Sequence, residues 1–334
     1  MTLSNSMPRP TDPHLSVVIP VMNEVENLPS LVSALTNVLD RLPTRWELIF
    51  VDDGSEDTTF TVLSELGARN PNIKTVRFSR RFGKEIALSA GLMYALGDAV
   101  VTMDGDLQHP PETLIEFFSK WHDGVDVVYG MRRSRGTQNI LQRIMRRAFY
   151  KLYNTISTTR IPEGAGDFCM LDRKVVDAFN RLRERDRFMK GLFAWVGFRQ
   201  EPVLFDVQPR KHGRSGWGFW RLWRFAMTGI TSFTGLPLTI WSYLGAFVAL
   251  LSFLYAVVVI VRTVIFGNPV PGYTTIVVLI LLFGSVQIIS VGLLGEYITR
   301  IFNEVKMRPM YLVSDTVNIT AQAAESQSRI VSHG

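Results

Sequence analysis

Short apolar runs rich in β-branched residues recur in the first part of the chain, at Leu15 to Pro20, Glu47 to Val51, Thr75 to Phe78, Ala99 to Met103 and Val125 to Tyr129. Stretches of helical period separate them, such as Ile86, Leu88, Leu92 and Leu96, or Leu114, Phe117 and Phe118. Strands alternating with helices predict an α/β fold, a mainly parallel sheet wrapped by helices on both faces. Further on the pattern changes. From Gly216 to Phe233, Arg221, Arg224, Thr228 and Ser232 recur at i+3/i+4 spacing while Trp217, Phe219, Trp220, Trp223 and Phe225 fill most of the remaining surface. That is the pattern of an amphipathic helix lying in a headgroup layer, with a core-facing helix as the competing reading. No charged side chain occurs from Leu236 to Val261, nor from Thr263 to Gly295, and Gly267-Asn268-Pro269-Val270-Pro271-Gly272 interrupts the second stretch. A membrane helix needs about 20 apolar residues, so two spans joined by a Pro/Gly turn are predicted.

The expected organisation is a flexible N-terminus over 1–13, a cytoplasmic α/β domain over 14–213 and an interfacial helix over 214–235. Transmembrane helices over 236–262 and 273–298 and a cytoplasmic tail over 299–334, polar and disordered from about Asp315, complete it. No internal repeat is present. Met1 to Pro13 carries no apolar signal-peptide core, and Arg300, Lys306 and Arg308 follow the second span. By the positive-inside rule both the large N-terminal part and the tail then face the cytoplasm, with Arg262 snorkelling to the far headgroups. The chain has 334 residues, enough for one large or two ordinary domains, and a net charge of +6. A modest positive balance beside membrane spans points to anionic headgroups or phosphates as partners rather than nucleic acid. A single cysteine, Cys169, excludes an intrachain disulfide and a cysteine-cluster metal site.

Chemistry concentrates where the apolar runs end. Asp104-Gly105-Asp106-Leu107-Gln108 follows Ala99 to Met103, so two carboxylates and an amide oxygen emerge at a strand's C-terminal end, the edge where open α/β sheets bind ligands. Carboxylates at i and i+2 offer the hard oxygens that Mg²⁺ or Mn²⁺ prefers, although the triplet alone also fits a solvated turn. Val51-Asp52-Asp53-Gly54-Ser55 is a second acidic strand end, able to accept hydrogen bonds from a base imide or ribose hydroxyl. Neither Gly-x-Gly-x-x-Gly nor Gly-x-x-x-x-Gly-Lys-Ser/Thr occurs, which disfavours ordinary NAD and P-loop sites. His109 and His212 belong to no His-rich spacing and read as turn or loop residues.

Ser16 to Pro20 with Asn23-Glu24, then Val51 to Ser55, then Asp104 to Pro110 together resemble the family 2 inverting glycosyltransferases of the GT-A fold, a Rossmann-like, mostly parallel sheet. The polyprenyl-phosphate hexose synthases look most similar, including dolichol-phosphate mannose synthase and the bacterial undecaprenyl-phosphate glucosyltransferases. Gly292 to Arg300 with Arg308-Pro309, and Arg187 to Leu192, resemble the bacterial two-span branch. The resemblance covers roughly residues 15 to 313.

It implies that Asp104, Asp106 and Gln108 hold Mg²⁺ or Mn²⁺, and that Asp52, Asp53, Pro20 and Glu24 line the nucleotide pocket. Arg132 and Arg146 would meet the lipid phosphate, as guanidinium forks suit; Arg133, Arg135, Arg143 and Arg147 crowd them, and a purely electrostatic basic face competes for each. Arg210 and Ser215 belong to an Arg-x-x-Gly-x-Ser loop over the donor diphosphate; Gly216 stands where many relatives have Lys, leaving Lys211 or Arg214 to replace that charge. Asp167, in Gly164 to Phe168, is the implied catalytic base, or else orients the acceptor or binds metal, since a phosphate acceptor is already largely ionised. The implied reaction is inverting transfer of a hexose from a nucleotide-diphosphate sugar to polyprenyl phosphate, with UDP-glucose favoured over UDP-N-acetylglucosamine, GDP-mannose or a UDP-aminoarabinose derivative. Relatives imply a tetramer in the bacterial inner membrane, serving cell-envelope glycan or O-antigen modification. A processive synthase lacks its Gln-x-x-Arg-Trp motif here, while a nucleotidyltransferase and a non-catalytic nucleotide-sugar sensor are separable by assay.

Overall fold

The structure is a computed structural model that describes residues 9–133, 165–182, 184, 189–206 and 272–319, with isolated helical positions between 247 and 266. Two compact units are distinguished, Met1–Ala226 with Arg308–Gly334, and Met227–Met307.

In the first unit the five apolar runs become β1 (His14–Val21), β2 (Arg45–Asp52), β3 (Ile73–Phe78), β4 (Ala99–Thr102) and β5 (Val127–Arg132). The helices between them are α1 (Leu28–Leu39), α2 (Thr59–Arg69), α3 (Lys84–Tyr94) and α4 (Thr113–His122). After these come β6 (Ala165–Asp172), α5 (Arg173–Asn180), α6 (Met189–Trp195), β7 (Gln200–Phe205) and, far along the chain, β8 (Val313–Val317). The sheet order is β7-β5-β6-β4-β1-β2-β3-β8. Strands β3, β2, β1 and β4 run parallel, as do β5 and β7, but β6 is antiparallel to β4 and β5, and β8 to β3. Six of these eight strands therefore point the same way and only β6 and β8 run opposite, so the sheet is mixed but mostly parallel, as expected. Central parallel strands are covered on both faces, which is why they stand out in the sequence as continuous apolar runs. Leu15, Val17 and Ile19 of β1 join Leu31 and Leu35 of α1, Leu63 of α2 and Phe117 of α4 in one core. Val18 points to the opposite face, against Gly91 of α3.

Three segments differ from the sequence-based expectation. Within the expected flexible stretch, Arg9 donates to the carbonyls of Trp121 and Val125 and pairs with Asp126 and Asp172, so the chain is anchored before β1 begins. The expected disordered tail contains β8, whose residues 315–317 pair with β3. Its sequence, Val-Ser-Asp-Thr-Val, is mostly exposed and lacks the apolar run of a covered strand. Asn318, at φ 56°, secures the end of β8 by donating through Nδ2 to the carbonyls of Gly67 (2.8 Å) and Ile73 (2.9 Å). Tyr311 stacks on Phe78 with ring centroids 4.8 Å apart and is 7% exposed. Truncating such a buried aromatic costs about 3 kcal/mol. Tyr311→Ala should accordingly lower the thermal midpoint of the purified protein, and an unchanged midpoint would mean that the β8 clasp contributes nothing to stability.

In the second unit, α7 (Tyr273–Val305) has 33 residues and continues past the expected end of the second span at 298. Among the described residues no helix is long and apolar enough to cross a membrane. The sequence of α7 nonetheless carries no charged side chain before Glu296, so the expected span rests on the sequence pattern. Most of 236–262 and all of 214–235 lie outside the described residues.

Candidate active site

Antiparallel pairing of β4 with β6 sets Ala99 opposite Asp172 and Thr102 opposite Cys169. Continuing that register past the end of β4 brings Asp104 opposite Asp167, two carboxylates 63 positions apart in sequence that no local pattern could have paired. The Thr102 hydroxyl donates to the Asp167 carbonyl at 2.6 Å and fixes the approach. Parallel register carries the same edge across β1 and β2, where Val18 faces Thr102 and Val21 faces Asp52. Pro20, Asp52, Asp53, Asp104 and Asp167 thus share one end of the sheet, at which Arg132 also terminates β5.

The two carboxylates of Asp104-Gly105-Asp106 have separate occupations. Asp106 Oδ1 accepts the Gln108 amide at 3.1 Å around Leu107, whose φ is 57°, so this carboxylate shapes the turn. Asp104 instead faces across the sheet edge, and its backbone N–H donates to His109 Nδ1 at 3.4 Å. His109 is buried, stacked on Phe168 at 4.6 Å and edge-on to Phe205 at 5.6 Å. Burial lowers its pKa, more than the neighbouring Asp104 and Asp106 raise it, so the neutral ring can accept that bond. His109 is a turn residue, as expected, with the added task of holding the Asp104 backbone. Cys169 is also buried, and desolvation pushes its thiol up to about 12, which makes it inert at neutral pH.

Asp52 and Asp53 sit where expected but are buried and turned inward. Asp52 is fully buried and accepts the Ser55 amide at 2.9 Å; desolvation raises its pKa, and Ser55 and Arg77 offset only part of that. Asp53 accepts from the amides of Phe82 (2.7 Å) and Gly83 (3.0 Å). Both therefore organise backbone, with Asp53 pinning the loop that leads into α3. Gly54, at φ 71°, lies against this loop so closely that a Cβ would meet the Arg80 carbonyl carbon at 2.6 Å. Asn23, at φ 54°, joins the exit of β1 to the same turn, its amide donating to Ser55 Oγ and its Oδ1 accepting from the Glu56 amide. Glu24 Oε2 accepts from Asn27 Nδ2 at 2.6 Å, and the Glu24 amide donates to Thr59 Oγ1.

Sequence reasoning missed Lys84. This first residue of α3 places its Nζ 2.6 Å from Asp104 Oδ1 and 2.9 Å from Asp167 Oδ2, bridging the facing carboxylates. Burial alone would lower its pKa, but the charges of Asp167 and Asp104 and its hydrogen bonds to both raise it, so the ammonium stays charged. The available signal was Gly83-Lys84 after a strand, a helix start indistinguishable from many others. Arg132 is exposed at its strand end. Arg146, Arg210 and Ser215 lie outside the described residues, as do Arg143, Arg147 and His212.

The chain was also compared with known proteins. Residues 16–179 match the family described as glycosyl transferase family 2, and residues 236–301 match a GtrB C-terminal hairpin. An uncharacterized glycosyltransferase of Synechocystis sp. is 50% identical, over 90% of this chain and 95% of its own length. An SfII prophage-derived bactoprenol glucosyl transferase of Shigella flexneri is 44% identical, over 90% of this chain and 97% of its own. Among solved structures, mannosyl-3-phosphoglycerate synthase from Rubrobacter xylanophilus aligns with a TM-score of 0.46 at 16% identity, covering 65% of this chain and 71% of that one.

Proposed function

Because the chain belongs to glycosyltransferase family 2, we propose that it transfers glucose from UDP-glucose to undecaprenyl phosphate at the cytoplasmic face of the bacterial inner membrane, with inversion. The 44% identity to a bactoprenol glucosyl transferase over nearly the full length of both proteins is the observation that carries the donor sugar and the lipid acceptor. In the reaction a phosphate oxygen of the lipid attacks the anomeric carbon, the bond from that carbon to the diphosphate oxygen breaks, and UDP leaves with the electron pair.

The residues present fit a divalent cation. Asp104 and Asp106 supply hard carboxylate oxygens at one strand end and Gln108 an amide oxygen, the donor chemistry that Mg²⁺ or Mn²⁺ prefers. We assign Asp104, Asp106 and Gln108 to Mg²⁺ or Mn²⁺, which when bound would neutralise charge developing on the leaving diphosphate. Asp167, across the edge from Asp104, would orient the acceptor phosphate and take its proton when one is present. Pro20, Glu24, Asp52 and Asp53 would shape the nucleotide pocket, Asp53 through the loop it holds. Arg132 and Arg146 would bind the lipid phosphate, and Arg210 and Ser215 the donor diphosphate.

Two membrane spans, 236–262 and 273–298, would keep the enzyme beside an acceptor that cannot leave the bilayer, with 214–235 at headgroup level. The exposed Ile276, Ile280, Ile288, Val291 and Leu294 of α7 support this reading, since such apolar exposure is costly in water. Assembly as a tetramer through spans and tail belongs to the same proposal.

Incubating the purified full-length protein with undecaprenyl phosphate and a panel of nucleotide sugars, followed by mass analysis of the lipid, tests donor and acceptor together. A hexose on the lipid phosphate from UDP-glucose is expected. Pyrophosphate release without sugar transfer would overturn the reading in favour of nucleotidyl transfer, and no product from any donor would leave only a binding role.

A further inference from the structure

The Lys84 ammonium stands where a divalent cation and its substrate would have to act. It lies 2.6 Å from Asp104 Oδ1 and 2.9 Å from Asp167 Oδ2, in the range of charge-assisted hydrogen bonds. Its position is built by the surrounding fold. Asp53 holds the amides of Phe82 and Gly83, the Gly54 turn packs on Arg80 and Arg81, and Gly83 takes a φ of 109° to turn directly into α3. Phe82 is further fixed edge-on to Phe78 at 5.6 Å and beneath the Arg80 guanidinium at 4.1 Å. The buried acids of the second strand end thus deliver a cation to the first. The bridge is still reachable from solvent, with 42% of the Lys84 side chain and 31% of the Asp104 side chain exposed.

We propose that Lys84 is a built-in counter-ion that couples metal loading to donor arrival, a role that presupposes the donor-metal site proposed above. Before the donor binds, the ammonium occupies an Asp104 oxygen and repels a second cation, so a divalent ion alone binds weakly. The diphosphate brings several negative oxygens to the solvent-reachable side of the Lys84 side chain. Lys84 then exchanges a carboxylate partner for a phosphate one, Asp104 is released to the metal, and Asp167 is released toward the acceptor. No covalent bond changes in this exchange. Coupling between binding sites is reciprocal, so the donor strengthens the metal by the same factor as the metal strengthens the donor.

The test measures Mn²⁺ binding to purified full-length protein, by the electron paramagnetic resonance signal of free Mn²⁺, with and without UDP as the nucleoside diphosphate. For the unaltered protein UDP should tighten Mn²⁺ binding by about 10- to 100-fold, within the usual span of coupling between sites. Lys84→Met should bind Mn²⁺ alone about tenfold more tightly, and UDP should then add less than about threefold. Lys84→Arg, which keeps the charge, should retain weak binding of Mn²⁺ alone. If Lys84→Met binds Mn²⁺ alone no more tightly than the unaltered protein, while Asp104→Asn abolishes binding, the counter-ion role falls and the metal site stands. If Mn²⁺ binds to none of these proteins with or without UDP, both fall together.

Discussion

Asp104→Asn should reduce formation of the lipid-linked sugar by about 10²- to 10³-fold, the usual cost of removing one group that stabilises charge in the transition state. The substitution preserves shape and removes one negative charge from the pair that faces Lys84. Stability should change little, because the Asp104 side chain is partly exposed and the amide that donates to His109 belongs to the backbone. Asp106→Asn should cost less, since its Oδ1 is engaged with the Gln108 amide and an asparagine oxygen can accept that bond equally well. Initial rates with UDP-glucose at saturating Mg²⁺, together with thermal midpoints, decide the matter. An Asp104→Asn enzyme of normal rate and normal midpoint would contradict a catalytic role for this strand end.

The largest stability effect is expected at Lys74→Met. Its ammonium meets Glu47 Oε2 at 2.5 Å, and the two side chains are only 12% and 2% exposed. Glu47 Oε1 accepts from Ser16 Oγ at 2.5 Å and from the Leu96 amide at 2.9 Å, tying β1 and β2 to the end of α3. Desolvation opposes ionisation of Glu47, but the hydrogen bonds from Lys74, Ser16 and Leu96 and the Lys74 charge outweigh it and hold its pKa below the ordinary glutamate value. Removing the lysine strands a buried charge, at a cost of about 3–5 kcal/mol. The double variant Glu47→Leu, Lys74→Met should recover much of that loss, because a buried ion pair is often replaceable by apolar side chains. A folded pKa below the unfolded one contributes stability above the unfolded value and loses it as pH falls through the folded value. The unaltered protein should therefore show an acid-side fall in midpoint from this pair that the double variant lacks. Equal midpoints for the single variant and the unaltered protein would show that the pair does not stabilise the fold.

Local chemistry made some of this molecule legible in one dimension. Strands β1, β2 and β4 could be read because they are buried along almost their whole length and their apolar residues are nearly contiguous, while β3 and β5, with half-buried residues among the buried ones, stood out by their short β-branched and aromatic runs. The acidic ends at Asp52-Asp53 and Asp104-Gly105-Asp106 could be read because each directly follows such a run. Strand β8 could not, since one exposed edge strand needs no apolar run and its partner lies more than two hundred positions earlier. Nor could the inward turn of Asp52 and Asp53, which depends on which amides the loop before α3 presents to them.

By itself the sequence determined the α/β core, the acidic segments at the ends of β2 and β4, the family resemblance and two long uncharged stretches, all properties of neighbouring residues. Only the tertiary structure decided that Asp104 faces Asp167 and that Lys84 stands between them. The first follows from an antiparallel register between β4 and β6, the second from a loop held by the buried Asp53. Register and loop closure join residues distant in sequence, and no periodicity or local spacing encodes such a meeting.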